Sequence, residues 1–506
     1  KIMRIIFFLA FLLSVTAIKA QYQSEAEKYV DLISKEGLYD KLSILASDAL
    51  EGRETGERGQ KMAAAFIQNH FESLGLRPTV PDKSDSIFQQ QLSLYSTVPG
   101  NTYIKINGVK KSNFDQIIYM SNDFSKEETS VELIFIGFGS DLVINKSDIF
   151  GKAAVFISSK DEPINPIVEK LKSAGAKIVL AVNKTDQTEF ESFKEKSKNV
   201  FIKGKLKLKI PELNEQMEQT GLFYIDPNMA GEMFDTSFDI LKSEADRMEE
   251  GKRLKKKLKA AQFSYQTESK IRTVLSENVL GYLEGSDKKD ELLIITAHYD
   301  HIGRRGELIN NGADDDASGT SSVMQLAEAF VEASKSGNRP RRSILFMTVT
   351  GEEKGLLGSE YYANNPIFPL ENTVANLNID MIGRIDPEHE EAGDYVYLVG
   401  SDKLSSQLHE ISEKANASYT KMELDYTYND ESHPSRIYYR SDHWNFAKNN
   451  IPIIFYFNGV HEDYHKPTDT IEKINFDILA KRAKLVFYTA WQLANMEERI
   501  LVDKLK

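Results

Sequence analysis

Three consecutive aspartates, Asp314, Asp315 and Asp316, lie in the segment NNGADDDASGT, between small residues and just before a predicted helix. Adjacent carboxylates repel one another, and crowding raises the pKa of at least one of them unless a cation or hydrogen-bond donors compensate. Taken alone, the triplet is typical of a solvated acidic loop. Its chemical interest depends on whether the fold brings further metal-ligating side chains to it.

Four predicted strands are followed by side chains that bind metals or transfer protons. These are His298, Asp300 and His301 after ELLIITA, Glu352 and Glu353 after RSILFMTVT, Asp380 at the end of TVANLNID, and His461, Glu462, Asp463 and His465 after IPIIFYFNG. In open α/β sheets, ligand sites form beyond the carboxyl ends of the strands. So many anions at one edge need a positive charge, which a metal supplies.

The donor types narrow the choice of metal. Histidine and carboxylate ligands favour zinc, and manganese or cobalt less specifically, because the chain contains no cysteine. These ligands are sufficient for two cations about 3.5–4 Å apart, bridged by one carboxylate.

The segment HEDYH (461–465) also matches the single-zinc protease pattern, which requires a helix. Gly459 and Pro467 flank it and a strand-like run precedes it, so the sequence disfavours that interpretation.

The elements that must position these residues alternate between strand and helix after residue 266. This pattern predicts an α/β fold with a mixed, mostly parallel sheet and helices on both faces. Residues 21–95, with two predicted helices, form the N-terminal part of that domain, and residues 266–506 its main part. From 96 to 265, short β-rich runs and the helix-like stretch PIVEKLKSAGA indicate a separate α/β unit inserted between them.

Composition excludes several classes of function. The 506 residues carry a net charge of -13, which argues against a nucleic-acid partner, and the absence of cysteine excludes disulfides and thiolate chemistry. Residues 1–20 have basic Lys1 and Arg4, an apolar run and small residues at Ala17 and Ala20, which predicts a cleaved signal peptide. We therefore expect a secreted or periplasmic protein without a membrane span; the oligomeric state stays open.

Five segments, in this order and spacing, resemble the M28 family of zinc peptidases: TAHYDHIG, NNGADDDASGT, GEEKGLLGS, NIDMIGR and HEDYHKPTDT. Residues 45–76 are similar to the N-terminal segment of secreted bacterial aminopeptidase-like members. The unit at 96–265 resembles the protease-associated domain that such members carry as an insertion. The resemblance implies the zinc aminopeptidase fold, which is also described as phosphorylase-hydrolase-like. It also implies peptide substrates with a free N-terminus.

The resemblance also implies a role for individual residues. Asp315 matches the carboxylate that bridges two zinc ions, His298 and Asp380 match the other ligands of one zinc, and Glu353 and His465 match those of the second. Glu352 matches the general base. Asp300 matches the carboxylate that orients His298. Asp314 and Asp316 are not ligands in this interpretation, and Asp442 matches a position near the site without an assigned role.

Three functions stay open at this point. The favoured one is a secreted dizinc aminopeptidase. The same scaffold also supports carboxypeptidases and one-metal glutaminyl cyclases in relatives. A binding protein without catalysis would have lost a ligand or Glu352, and none of these residues is missing.

Overall fold

A computed structural model describes residues 25–82, 85–119, 125–145, 147–158, 163–184, 186–210, 221–391 and 393–504. The predicted signal peptide lies outside the described residues. The chain forms two compact units: one comprises the described residues up to Ser93 and from Val274 onward, and the other comprises Leu94–Thr273. The sequence predicts the limits of the inserted unit at 96 and 265, somewhat inside these boundaries.

The first unit is built on one eight-stranded sheet. Its strands are β1 (Gln89–Pro99), β2 (Ser269–Leu283), β3 (Lys288–His298), β4 (Arg342–Val349), β5 (Thr373–Ile379), β6 (Tyr395–Val399), β7 (Glu423–Asp425) and β8 (Ile453–Phe457), and the unit boundaries fall within β1 and β2. Their order across the sheet is β7-β6-β8-β5-β3-β4-β2-β1. β8, β5, β3 and β4 run parallel to one another, whereas β2 is antiparallel to β4 and β6 to β8.

Helices cover this sheet. The α-helices of the first unit are α1 (Lys35–Leu45), α2 (Arg58–Leu74), α3 (Gly319–Lys335), α4 (Leu357–Asn364), α5 (Ser406–Ala415), α6 (His443–Ala447) and α7 (Phe476–Asn495). Short 3-10 or π turns span Val30–Leu32, Asp48–Arg53, Ala313–Ser318, Leu370–Asn372, Pro387–His389, Asn416–Thr420, Thr427–Asn429, Ile437–Tyr439 and Ile471–Lys473. Two small ribbons pair Val80–Asp82 with Asp85–Ile87 and Arg304–Arg305 with Leu308–Ile309.

Both faces of the central strands are buried. Leu293 packs in a cluster with residues of α1, α2, α3 and α7, whereas its neighbour Ile294 packs in a second cluster with residues of α4 and α6. Successive side chains of a strand point to opposite faces, so helices lie on both sides of the sheet. This arrangement explains the continuous apolar runs of β3, β4 and β8. It confirms the predicted α/β fold with a mixed, mostly parallel sheet.

The second unit contains two further sheets. One has five strands in the order Ile117–Tyr119, Gly221–Ile225, Ile178–Val182, Ala153–Ile157 and Leu133–Phe135, and the other has four in the order Val109–Ser112, Tyr103–Ile106, Phe263–Thr267 and Ser125–Ser130. Its helices are Asp141–Ile144, Ile164–Ser173, Gln187–Phe201, Pro227–Met233 and Phe238–Glu249. None of the helices in the described parts of either unit combines the length and apolar composition that a membrane-spanning helix requires.

Candidate metal centre

The candidate site lies where four neighbouring parallel strands end. β3 ends at His298, Glu352 and Glu353 follow β4, Asp380 follows β5, and His465 lies on the turn after β8. Adjacent parallel strands present their carboxyl ends at one edge of the sheet. The topology therefore carries these residues to a common place although up to 167 positions separate them in the chain (465 minus 298).

Asp315 lies at the centre of this cluster. Its Oδ1 is 3.2 Å from His298 Nε2, which is in turn 3.5 Å from Asp380 Oδ1. Its Oδ2 is 3.2 Å from His465 Nε2, which is also 3.2 Å from Glu353 Oε2. The two oxygens of one carboxylate thus face two separate pairs of nitrogen and oxygen donors. The structure brings together all five residues predicted as metal ligands.

The main-chain carbonyl of Asp300 orients His298. His298 Nδ1 lies 3.0 Å from Asp300 O, so a proton on Nδ1 leaves the lone pair of Nε2 facing Asp315 and Asp380. The Asp300 carboxylate, predicted for this role, has its nearer oxygen 4.0 Å from Nδ1. That carboxylate instead accepts hydrogen bonds from the Thr55 hydroxyl at 2.6 Å and from Glu352 N–H at 3.2 Å. It therefore contacts the segment that carries both glutamates.

The Asp316 carboxylate, next to Asp315 in the triplet, is hydrogen-bonded to main-chain N–H groups. The donor atoms of His298, Asp316 and Asp380 also lie close enough to hold an ion. However, the Asp316 carboxylate accepts backbone hydrogen bonds from Gly319, Met381 and His298, at 2.8, 3.1 and 3.2 Å. Because these donors use both of its oxygens, Asp316 is less available to a metal than Asp315.

Asp314 is hydrogen-bonded to residues other than the candidate ligands. Its Oδ1 accepts Gly383 N–H at 2.6 Å, and its Oδ2 lies 3.1 Å from His461 Nε2. Residues 462–465 form a turn rather than a helix, so the HEDYH segment does not place its two histidines one helical turn apart. His461 contacts Asp314, whereas His465 contacts Asp315 and Glu353.

The clustered carboxylates and histidines shift one another's pKa values. Burial lowers the pKa of His298, but Asp380, Glu352 and Asp315 outweigh it and raise that pKa well above its ordinary value. Burial lowers the pKa of His465 too, yet contacts with Asp315 and Glu353 raise it to about 10. Burial and Asp315 would raise the pKa of Glu353, but His301 and His465 lower it to about 2. Without a metal, protonated His298 and His465 would supply positive charge to these carboxylates.

The cavity beside these ligands has an acidic end and an apolar wall. Asp315, Glu352 and Asp380 line the acidic end. The remaining wall consists of Met381, Ile437, Arg440, Phe455, Phe457, Val460 and Tyr464. Burial raises the pKa of Glu352 well above its ordinary value; His298 opposes this rise, and repulsion by Glu353 and Asp380 adds to it. A carboxyl group with this affinity for a proton is suited to general acid–base chemistry.

Two residues without a predicted role contribute to the centre. Arg53 is fully buried and donates to four backbone carbonyls: those of Tyr299 at 2.8 Å, Asn311 at 2.7 Å, Gly312 at 2.9 Å, and Leu45. His301 is fully buried, with Nδ1 2.7 Å from Glu353 Oε1. For Arg53, the sequence offers no signal, because its partners are main-chain atoms. His301 stands beside two predicted site residues, which was a signal, but its orientation depends on the fold.

These residues fit a pair of zinc ions. The donors are imidazole nitrogens and carboxylate oxygens, the ligands that zinc takes when no thiolate is available. Glu353 Oε1 and both ring nitrogens of His301 are buried without a hydrogen-bond partner among the described residues. Buried polar atoms are rarely left without partners, so atoms of this kind converging beside Asp315 indicate a place for a cation. His298, Asp315 and Asp380 would hold one ion, and Asp315, Glu353 and His465 the other.

Comparison with known proteins identifies relatives of similar sequence. A probable leucine aminopeptidase of Arthroderma otae is 30% identical over 214 residues, which is 41% of this chain and 55% of that protein. Aminopeptidase YwaD of Bacillus subtilis is 26% identical over 282 residues, which is 54% of this chain and 55% of that protein. The chain thus spans about half the length of these curated relatives.

Two solved structures share the fold over nearly the whole length. An aminopeptidase from Aneurinibacillus sp. strain AM-1 matches with a TM-score of 0.50 and 19% identity, over 95% of this chain and 98% of that one. A zinc aminopeptidase from Bacillus subtilis gives the same TM-score and identity over 93% and 98%. Residues 278–490, which contain all five candidate ligands, match the profile of Peptidase family M28. This part of the chain is therefore similar to peptidase family M28.

Proposed function

We propose that this protein is an aminopeptidase that uses two zinc ions bridged by Asp315. The observation that carries the proposal is the division of the Asp315 carboxylate between His298 and Asp380 on one side and Glu353 and His465 on the other. Relatives named leucine aminopeptidase and zinc metalloprotease support the same reaction class.

Glu352 is the proposed general base. Bound zinc would supply Lewis-acid polarisation of the scissile carbonyl and a lowered pKa of bound water. Glu352 lines the cavity beside Asp315 and would accept the proton of the attacking water, then return it to the leaving amine. The Asp300 carboxylate, which accepts the Glu352 N–H, would hold that residue in place.

The cavity favours a substrate with a free amine and an apolar first side chain. With both zinc ions bound, Asp315 and Asp380 would be neutralised as ligands, and Glu352 is the acidic group of the cavity that would remain to attract a cationic α-amino group. The wall near Met381 and Phe457 would contact the first side chain. These two features support the aminopeptidase over the carboxypeptidase, for which Arg440 on the same wall would be the residue to bind a carboxylate.

Two finer assignments belong to the same proposal. We infer that the second unit is a protease-associated domain, because its sequence resembles such domains.

We also propose that the protein is secreted or exported to a periplasm, because of the composition of residues 1–20. The N-terminal sequence of protein recovered from the culture medium or periplasm tests this second assignment.

A substrate panel with metal analysis tests the function. We expect cleavage of leucine p-nitroanilide and of leucyl peptides, and no cleavage once the α-amine is acetylated. Protein purified without chelators should contain two zinc ions per chain. Cleavage from the carboxyl end, equal turnover of acetylated peptides, cyclisation of N-terminal glutamine, or absence of any turnover would each contradict the proposal. A zinc ratio near one that added zinc cannot raise would contradict the dinuclear site.

A further inference from the structure

His301 is a buried imidazole that makes no hydrogen bond of ordinary geometry among the described residues. Its side chain is fully inaccessible to solvent, and neither Nδ1 nor Nε2 has a hydrogen-bond partner among the described residues. A buried histidine that serves only to fill the core usually donates one ring N–H to a carbonyl, as His443 does through Nε2 to Tyr438 O at 2.8 Å. The lack of such a bond at His301 therefore calls for another partner.

The ring of His301 is directed at the Glu353 side of the metal centre. Nδ1 lies 2.7 Å from Glu353 Oε1 and 3.8 Å from Asp315 Oδ2, although the contact with Glu353 lacks hydrogen-bond geometry. Donor atoms of His301, Asp315 and Glu353 lie within 4.8 Å of one another, close enough to share an ion. The ring also meets that of His465 edge to face, with centroids 5.8 Å apart.

The backbone holds this orientation. His301 N–H donates to Arg53 O at 3.1 Å, which links its main chain to the buried arginine. Gly312, with a φ of 55°, packs against the ring, and a Cβ at that position would lie 2.2 Å from Asp315 O and 2.6 Å from His301 Cγ and Cδ2. Any other residue at 312 would therefore require the main chain at Asp315 and the imidazole of His301 to shift. The fixed ring and the free nitrogen are the arrangement expected of a preorganised ligand.

We propose that His301 is a sixth protein ligand, which binds the metal held by Asp315, Glu353 and His465. This inference rests on the proposed dinuclear site and adds a nitrogen donor to one half of it. The two ions would then have unequal protein ligands: one imidazole and two carboxylates for the first, two imidazoles and two carboxylates for the second. Imidazole suits zinc, cobalt and copper, so the second position should bind these metals more tightly than the first.

The alternative is that His301 does not bind the metal and only donates a hydrogen bond to Glu353 Oε1. Both roles predict weaker metal binding after substitution, because removing a partner of a ligand typically costs about 10–100-fold in affinity. The two roles differ in the coordination of the metal. Only a ligand changes the number of imidazoles bound and the visible spectrum of cobalt.

The experiment uses the full chain, stripped of metal and titrated with Co²⁺ and separately with Zn²⁺. His301→Ala and the more conservative His301→Gln are compared with wild type. The matched control is His70→Ala, which removes a half-buried imidazole that lies 3.5 Å from the Glu328 carboxylate on the α2–α3 contact. Circular dichroism of each metal-free variant reports on folding, and His301→Gln serves if His301→Ala does not fold.

We expect both His301 variants to bind the second ion at least about tenfold more weakly, with the first ion unaffected. The cobalt absorption of the second ion should shift to longer wavelength as a nitrogen donor is lost. X-ray absorption of the dizinc protein should show three imidazoles per metal pair in wild type and two in the variants. The His70 variant should match wild type in all three measurements.

Unchanged cobalt spectra and imidazole counts in the His301 variants would overturn the proposal, even if affinity falls, because that result assigns the hydrogen-bonding role. A wild-type protein that binds a single ion would contradict the dinuclear site, and this inference with it. A wild-type protein with two ions, but with variants that retain three imidazoles, would contradict this inference alone.

Discussion

At the scale of single residues, the adjacent Glu352 and Glu353 follow the same strand but have different surroundings. The oxygens of Glu353 lie 2.7 Å from His301 Nδ1 and 3.2 Å from His465 Nε2. Glu352 has a similar exposure to solvent but lines the cavity. Although the two side chains are chemically identical, their surroundings lower the pKa of Glu353 and raise that of Glu352.

Substitution by glutamine should separate the two roles. Glu353→Gln should weaken metal binding, because an amide is a poor replacement for an anionic ligand. Glu352→Gln should keep both ions and lower kcat by about 10²–10⁴-fold through the loss of the general base, with little change in KM. Metal content and steady-state kinetics of both variants test this. Loss of zinc from the Glu352 variant alone would show that the two assignments are reversed.

The second residue-scale prediction concerns Asp442, which is fully buried. Its Oδ1 accepts the Ser359 hydroxyl at 2.5 Å, and its Oδ2 has no hydrogen-bond partner among the described residues. Burial raises the pKa of Asp442 to about 7, with a further rise from Asp380 and Asp300 and an opposing effect of His298. Its ordinary pKa is about 3.9. Between about pH 4 and about pH 7, the folded metal-free protein therefore binds more protons here than the unfolded chain does, and stability falls as pH rises.

Asp442→Asn should remove this pH-dependent cost. We expect the variant to raise the thermal midpoint of chelator-treated protein more at about pH 8 than at about pH 5, because only the higher pH ionises the wild-type carboxyl. Asp477→Asn, which replaces an exposed carboxylate with 82% side-chain exposure, is the control and should show no such difference. An Asp442 variant whose change in midpoint is the same at both pH values would contradict the argument.

At the scale of elements, Arg53 connects three segments that meet behind the metal ligands. Its guanidinium donates to the last residue of α1, to the residue after β3 and to the loop before the aspartate triplet. Burial lowers the pKa of Arg53, and Asp315, Asp316 and Asp469 oppose that decrease. The side chain thus satisfies buried carbonyls and supplies positive charge to a buried acidic loop.

Arg53→Met should destabilise the protein by about 3–5 kcal/mol, because it leaves carbonyls without donors and carboxylates without a compensating charge. Denaturation followed by circular dichroism measures the change. The nearby Arg58→Met is the control: Arg58 is 70% exposed and pairs with Glu51 at 3.2 Å, so its loss should cost under about 1 kcal/mol. Equal effects of the two substitutions would show that the buried contacts of Arg53 contribute little.

At the scale of the whole molecule, the chain leaves the first unit through β1 and returns through β2. Leu280 N–H donates to Phe88 O, and Asn278 Nδ2 donates to Gln90 Oε1, so these neighbouring strands approach in reverse order. Antiparallel neighbours place Ser93 and Val274 at nearby positions within the two strands, which a short connection can join. All five candidate ligands belong to the first unit.

Replacing residues 94–273 by a short glycine-rich linker should therefore preserve the large sheet and both metal sites. We expect a cooperative thermal transition and a zinc ratio equal to that of the full chain. The same deletion with Glu353→Gln serves as the reference for a damaged site. A cooperatively folded deletion variant that binds no zinc would show that the second unit is required for the metal centre.

The sequence alone determined the class of the fold and the identity of the residues that meet at the sheet edge. Both depend on local patterns: apolar runs predict buried strands, and a residue directly after a parallel strand lies at the carboxyl edge whatever the loop between strands contains. The strand ends place His298, Glu353, Asp380 and His465 among a wider set of candidates, whereas the choice of these four with Asp315 as the ligands came from the resemblance to the M28 family. Their roles as ligands stay predictions that the metal analyses test.

Only the tertiary structure decided which atoms make contact. The Asp300 carbonyl rather than its carboxylate faces His298, backbone N–H groups occupy Asp316, and Arg53 reaches carbonyls as many as 259 positions away. Main-chain acceptors are the same for every residue type, so no side-chain pattern marks them in a sequence. The direction of the His301 ring likewise depends on Gly312, a neighbour in space whose close approach follows from packing between segments rather than from local propensity.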